Sequence, residues 1–165
     1  MNLEGKRVLI TGGSSGIGLA IARAMLAKGA RVAVTGRNSE RLARSVKDLQ
    51  ENGLPVTGIQ ADVSTTEGRS RSLDKSIEVL GGLDVLVNNA GGVRAGRLEK
   101  TTEVEIRTMV EVDLVAPILL TQAALPHLRS SGDGLVISVT SGIALRGAPF
   151  YATYAAVKAG PSRFG

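Results

Sequence analysis

The sequence predicts a doubly wound α/β domain, a parallel sheet held between two layers of helices, and three observations lead there. Five short apolar or β-branched runs, at residues 7–11, 31–35, 56–61, 84–87 and 135–139, alternate with longer stretches of helical periodicity, the order expected of βαβ units. These runs are nearly all apolar rather than alternating, as strands covered on both faces are. The segment after each run is small or polar: Gly12-Gly13-Ser14-Ser15-Gly16, Gly36-Arg37-Asn38, Asp62-Val63, Asn88-Asn89-Ala90-Gly91 and Thr140-Ser141-Gly142. In an open parallel sheet, ligands bind at these carboxyl ends.

Between the first two runs, residues 17–28 read as a helix closing on Gly29, the residue best suited to a left-handed cap. A second helix follows Asn38, with Leu42, Val46 and Leu49 on one face and Arg41, Arg44 and Lys47 turned to solvent, and stops at Asn52-Gly53. Ser64-x-x-Glu67 and Thr102-x-x-Glu105 have capping-box spacing and are expected to open the third and fourth helices. Pro117 and Pro126 should kink or end the fourth helical pattern, because proline removes a hydrogen bond and clashes with the preceding turn. With no sixth strand, the run 135–139 becomes an apolar sheet edge that invites association.

At 165 residues with 43% hydrophobic content, one domain spanning 1–165 is expected. Cysteine is absent, which excludes disulfides and cysteine nucleophiles, and the single His127 leaves too few ligands for a zinc site. The start of the chain, MNLEGKRVLITGG, has charges at Glu4, Lys6 and Arg7 and glycines breaking its apolar run. It resembles neither a signal peptide nor a membrane span, so the expected location is cytoplasmic. The net charge of +5 suits an anionic partner. Nucleic acid is disfavoured, because basic residues are interleaved with acids and only two Tyr and two Phe are available for base stacking. A Ser-His-Asp hydrolase built on His127 is disfavoured because no G-x-S-x-G elbow occurs.

Three motifs carry chemistry. In TGGSSGIG the glycines Gly12, Gly16 and Gly18 would let the backbone approach a pyrophosphate, with Ser14, Ser15 and Ile17 beside it at a helix N-terminus. About twenty residues on, where a carboxylate would meet a ribose hydroxyl, stand Gly36, Arg37 and Asn38. A guanidinium there suits the 2′-phosphate of NADP, so NADP is preferred to NAD. Finally, Tyr154 and Lys158 are four residues apart and share one face of a helix. A cation about 4 Å from a phenol supplies on the order of 4 kcal/mol at an effective dielectric of 20, enough to bring a group titrating near pH 10 into acid-base use.

TGGSSGIG, Asn88-Asn89-Ala90-Gly91, Ser141 and Tyr154-x-x-x-Lys158 together resemble the short-chain dehydrogenase/reductase family, in its order and approximate spacing across nearly the whole chain. The resemblance implies the strand order 3-2-1-4-5 and an enzyme interconverting a carbonyl and a secondary alcohol. It assigns Tyr154 as general acid or base, Lys158 as the residue that binds the nicotinamide ribose and tunes the tyrosine, and Ser141 as the donor to the substrate oxygen. It places Asp62 and Val63 at the adenine and Asn89, Ala90 and Gly91 along the cofactor. Relatives pair through the fourth and fifth helices, so a homo-oligomer is expected.

Two departures qualify the resemblance. The family's usual helix asparagine is Asp113 here, a residue expected to hold the water of a relay to Lys158. The chain also stops seven residues after Lys158, where relatives continue with two further strands, and Pro161 threatens the helix that holds the pair. The rival reading is therefore an incomplete or inactive nucleotide-binding domain without turnover.

Overall fold

The computed structural model describes residues 2–163; Met1, Phe164 and Gly165, which include the limits of the expected domain, lie outside them. Strands β1 (Arg7–Ile10), β2 (Arg31–Gly36), β3 (Val56–Gln60), β4 (Val85–Asn88) and β5 (Leu135–Ser138) form one sheet in the order β3-β2-β1-β4-β5. All pairings are parallel, with Val8 opposite Val32 and Val85, and Asn88 opposite Ser138.

Because successive side chains of a strand point to opposite faces, an all-apolar strand feeds two cores. On one face Val8, Ile10, Val32, Val34, Val85 and Val87 pack with Ala22 and Leu26 of α1 (Gly16–Leu26) and Leu42 and Leu49 of α2 (Ser39–Glu51). On the other, Leu9, Ala33, Ile59 and Leu86 meet Leu73 and Leu80 of α3 (Thr66–Leu80) and Leu120, Ala124 and Leu128 of α5 (Ala116–Ser130). Strands β3 and β5, at the two edges of the sheet among the described residues, are less covered than the three between them.

Three local expectations are corrected. Helix α1 ends at Leu26 rather than residue 28, and Gly29, with φ 81°, turns the chain into β2 as the N–H of Ala30 bonds to the carbonyl of Met25 at 3.1 Å. Thr65, not Ser64, caps α3, its hydroxyl accepting from the N–H of Gly68 at 3.0 Å. Ser64 is instead held by Asp62, whose Oδ1 accepts from its N–H and its hydroxyl, the local competition by which short polar side chains shift a helix start. The third correction concerns the prolines. From α4 (Glu103–Val110), opened by the expected Thr102–Glu105 capping box, the chain passes through a π turn at Glu111–Val115 straight into α5.

The prolines are accommodated for separate reasons. In a regular helix the ring of Pro117 would press on the carbonyl of Asp113; the π turn, in which the N–H of Ala116 bonds to the carbonyl of Glu111, widens the helix just before it. Pro126 is exposed, as is Gln122 one turn before it, so the carbonyl that loses its partner can turn to water. The rod Glu103–Ser130 is long and apolar enough by composition to cross a membrane, yet Leu120, Ala124 and Leu128 place it in the core of the sheet.

At the amino ends of the strands, Asp84 accepts hydrogen bonds from the N–H, Nε and Nη2 of Arg7 at 2.7, 2.8 and 2.9 Å. The side-chain hydrogen bond from Arg7 pulls the Asp84 carboxyl down from 3.8 to about 2, against burial, which pushes it up. A carboxyl whose folded value lies below its unfolded value stabilises above the unfolded value, and that stability is lost as pH falls through the folded one. Asp84→Asn is therefore expected to cost about 2 kcal/mol at neutral pH in urea denaturation, with the gap to wild type closing as pH is lowered from 4 towards 2.

Candidate functional site

The carboxyl ends of β1 to β4 open onto one cleft of about 270 Å³. Gly12, Ser14, Ser15, Ile17 and Gly18 form its floor, Arg37 follows β2, Asp62 and Val63 follow β3, and Asn89, Ala90 and Gly91 follow β4. The structure thus brings together all of these sequence-derived candidates. Six others do not line the cleft: Gly16, Asn38, Asp113, Ser141, Tyr154 and Lys158. Gly16 has φ 53° and enters α1, and Asn38 spends its Oδ1 capping α2, accepting from the N–H of Arg41 at 2.7 Å.

The glycines serve packing more than expected. A Cβ on Gly12, at φ 66°, would stand 2.9 Å from the Cα of Ala90, and one on Gly18 would collide with Nδ2 of Asn89. That amide nitrogen donates to the carbonyls of Thr11 and Gly12 at 2.8 and 3.2 Å. The hydroxyl of Thr11 accepts from the N–H groups of Asn89 and Ala90, both at 3.0 Å. The glycine turn is thereby stitched to the end of β4. Only around Gly16 is the missing side-chain direction open, with nothing within 4 Å.

Two features fit an anionic dinucleotide. Helix α1 begins here with no acid in its first turn and no side chain capping its amides, the arrangement that favours a phosphate. Arg37 is joined in the lining by Arg41, which is exposed as its sequence position suggested and was not named as a candidate. Its signal was present, since Asn38 as N-cap puts Arg41 in the first turn of α2, at the end facing the cleft. Gly36, named with Arg37 in the segment after β2, lines the cleft too, as do Thr35, Ala61 and Val112, which were missed.

Beyond β5, Ser141 begins a short 3-10 turn at Gly142–Leu145, its Oγ accepting from the N–H of Ile143 at 3.4 Å. Helix α6 (Ala152–Ala159) carries Tyr154 and Lys158. The buried Lys158 directs its Nζ to Oδ1 of Asp113 at 2.9 Å and to the carbonyl of Val139 at 3.2 Å, 5.9 Å from the centre of the Tyr154 ring. Asp113, itself 1% exposed, sits in the π turn and also accepts from the N–H of Gly92 at 3.3 Å. A Cβ on Gly91 would stand 2.5 Å from Oδ1 of Asp113 and 3.1 Å from Nζ. Asp113 therefore touches Lys158 directly, where the sequence suggested an intervening water. Pro161 does not disturb the pair, because α6 ends at Ala159 before it.

His127 lies in the last turn of α5, which leads into the start of β5, whereas Ser141 follows that strand's far end. The two cannot form a hydrolytic pair. Among the described residues no cluster of three His, Asp or Glu side chains could hold a metal.

Comparison with known proteins agrees with this architecture. The short chain dehydrogenase family model matches residues 6–164. A short chain dehydrogenase of Pseudocercospora fijiensis is 37% identical over 98% of this chain and 53% of its own length. The pig dehydrogenase/reductase SDR family member 4 is 38% identical over 84% of this chain and 50% of its own. The crystal structure of a short chain dehydrogenase from Burkholderia cenocepacia in complex with NADP superimposes with a TM-score of 0.88 at 40% identity, covering 97% of this chain and 65% of that one. The chain thus spans about half the length of the curated relatives it matches. Sheet order, glycine turn and the match over residues 6–164 together establish that this chain belongs to the short chain dehydrogenase family.

Proposed function

We propose that the protein is an NADP(H)-dependent oxidoreductase that interconverts a carbonyl and a secondary alcohol, with residues 1–165 as its nucleotide-binding domain. The observation that carries this reading is the buried Lys158 ammonium, beside Tyr154 and close to Gly91, a residue that lines the same cleft as Arg37 and Arg41. The bound dinucleotide supplies the hydride in reduction and accepts it in oxidation. Ser14, Ser15, Ile17 and Gly18, with the amides that open α1, hold its pyrophosphate, while Asp62 and Val63 flank the adenine and Asn89, Ala90 and Gly91 the path between. Tyr154 donates its hydroxyl proton to the carbonyl oxygen during reduction and takes it back in the reverse direction. Ser141, whose Oγ accepts from Ile143, has its own hydrogen available for the same oxygen, a contact that strengthens as the oxygen gains charge. Lys158 holds the nicotinamide ribose, and Asp113 is the positioning residue that fixes Lys158.

NADP is favoured over NAD because the residue directly after β2 is Arg37 rather than an acid, and Arg37 and Arg41 line the cleft, where they can make charge-assisted bonds to a 2′-phosphate. Replacing both by Ser is expected to weaken NADPH binding about 100-fold in calorimetry, about 1.4 kcal/mol for each charged contact, and to leave NADH binding nearly unchanged. A cytoplasmic, self-associating protein acting on a small molecule, away from nucleic acid and membrane, completes the reading. One observation favours a second reading, binding without turnover: Asp113 already occupies the ammonium of Lys158. Oxidation of NADPH with a panel of aldehydes and ketones decides between them, since the second reading yields affinity and no reaction.

A further inference from the structure

Val63, after β3, and Val112, in the π turn, both line the cleft and pack in one cluster with Ala116. They come from segments far apart in the chain, and Arg69, which is not among the lining residues, joins those segments from behind. Its Nη1 donates to the carbonyl of Val63 and to Oε1 of Glu111, the neighbour of Val112, both at 2.9 Å. Its Nη2 donates to Oγ1 of Thr66 at 3.2 Å. Among the described residues no backbone N–H reaches the carbonyl of Val63, so the guanidinium supplies its partner. Gly68 permits the approach, since a Cβ there would collide with the carbonyl of Asp62.

The position is a costly one for a cation. Arg69 is the fourth residue of α3, in its first turn, where the helix dipole disfavours positive charge. Its side chain is only 12% exposed. The ion pairs Lys47–Glu51 and Arg107–Glu103 lie exposed within single helices, whereas Arg69–Glu111 spans two elements that both contribute to the cleft. The planar fork of a guanidinium suits this bridge, because it meets a carbonyl and a carboxylate at once in fixed geometry. Breaking it frees the Val63 carbonyl on one side and the first residue of the π turn on the other.

We propose that Arg69, through Glu111, is a positioning residue for the adenosine half of the dinucleotide, fixing the spacing of Val63 and Val112 and so the seat of the base. The inference rests on the oxidoreductase reading above, which sets the adenine against Asp62 and Val63, and adds to it the brace that holds that wall. Affinities of 2′,5′-ADP and NADH are measured by calorimetry in wild type, Arg69→Met, Glu111→Gln and the double variant. Adenosine 5′-phosphate is the part that the two probes share. Arg69→Met is expected to weaken both about tenfold, the loss expected for hydrogen bonds from a charged group, and Glu111→Gln to weaken both by a smaller factor. The double variant should bind within about twofold of Arg69→Met, because a brace broken at one end gains nothing from the other. A lowered Tm with both affinities unchanged makes the pair purely structural and overturns the inference. Loss confined to 2′,5′-ADP traces the effect to the 2′-phosphate and the guanidinium charge, and loss confined to NADH traces it to the nicotinamide half; either overturns it. So do losses that multiply in the double variant, or absence of binding of either probe to wild type. Should Arg69→Met fail to fold, Glu111→Gln carries the test and must weaken both probes by the same factor. If wild type binds NADPH while the variants keep their affinities, this inference fails and the oxidoreductase reading stands; if wild type binds no pyridine dinucleotide, both fail.

Discussion

Tyr154→Phe is expected to reduce the rate of NADPH oxidation by a carbonyl about a thousandfold, within the range that a single positioned proton donor contributes, while the affinity for NADPH changes less than twofold. The substitution removes one hydroxyl from a half-buried ring and leaves the helix, the ring and Lys158 in place. Lys158 keeps its bonds to Asp113 and Val139, neither of which involves the tyrosine. A stopped-flow trace for turnover beside a calorimetric titration for binding separates the two quantities. Equal activity in the two proteins would remove Tyr154 from the chemistry. Loss of binding in step with turnover would mean that the hydroxyl holds the fold or the cofactor rather than the proton.

The other large effect concerns stability. Asp113→Ala is expected to cost about 3–5 kcal/mol in urea denaturation, because it leaves the ammonium of Lys158 buried without its counter-charge. The carboxylate also receives the N–H of Gly92, so the same change frees the segment after β4. On a total stability of about 5–15 kcal/mol this is a severe loss. The double variant Asp113→Ala/Lys158→Met is expected to recover most of it, since no lone charge then remains. Asp113→Asn, which retains an acceptor for both partners, should cost less than the alanine. A loss below about 1 kcal/mol for Asp113→Ala would class the pair with surface ion pairs, despite its burial.

Much of the fold was legible because its determinants are local. Each strand lies within one residue of its apolar run, as β-branched residues between turn formers allow little choice. The capping box at Thr102 and Glu105 was equally readable, being closed by four consecutive residues. At Ser64 the same spacing misled, because Asp62 competes for the serine hydroxyl and Thr65 offers an equivalent cap one residue later. Pro117 misled for a different reason. A π turn costs little where neighbouring packing holds the helix, and Val112 and Ala116, packed with Val63, come from outside any local window.

The cleft shows the same division. The glycines, Arg37, Asp62 and the segment after β4 could be named from their positions after strands, whereas Arg41, in the first turn of α2, is brought to the cleft by the packing of α2 beside β2. The sequence by itself determined the order of elements, the segments that form the site and the helical spacing of Tyr154 and Lys158, since these follow from chain-local periodicity and steric preference. Only the tertiary structure decided that Asp113, forty-five residues before Lys158, closes on its ammonium at 2.9 Å, and that Gly12 and Gly18 are required by Asn89 and Ala90. Those contacts depend on parallel strands far apart in the chain arriving side by side, and no local rule specifies which groups then meet.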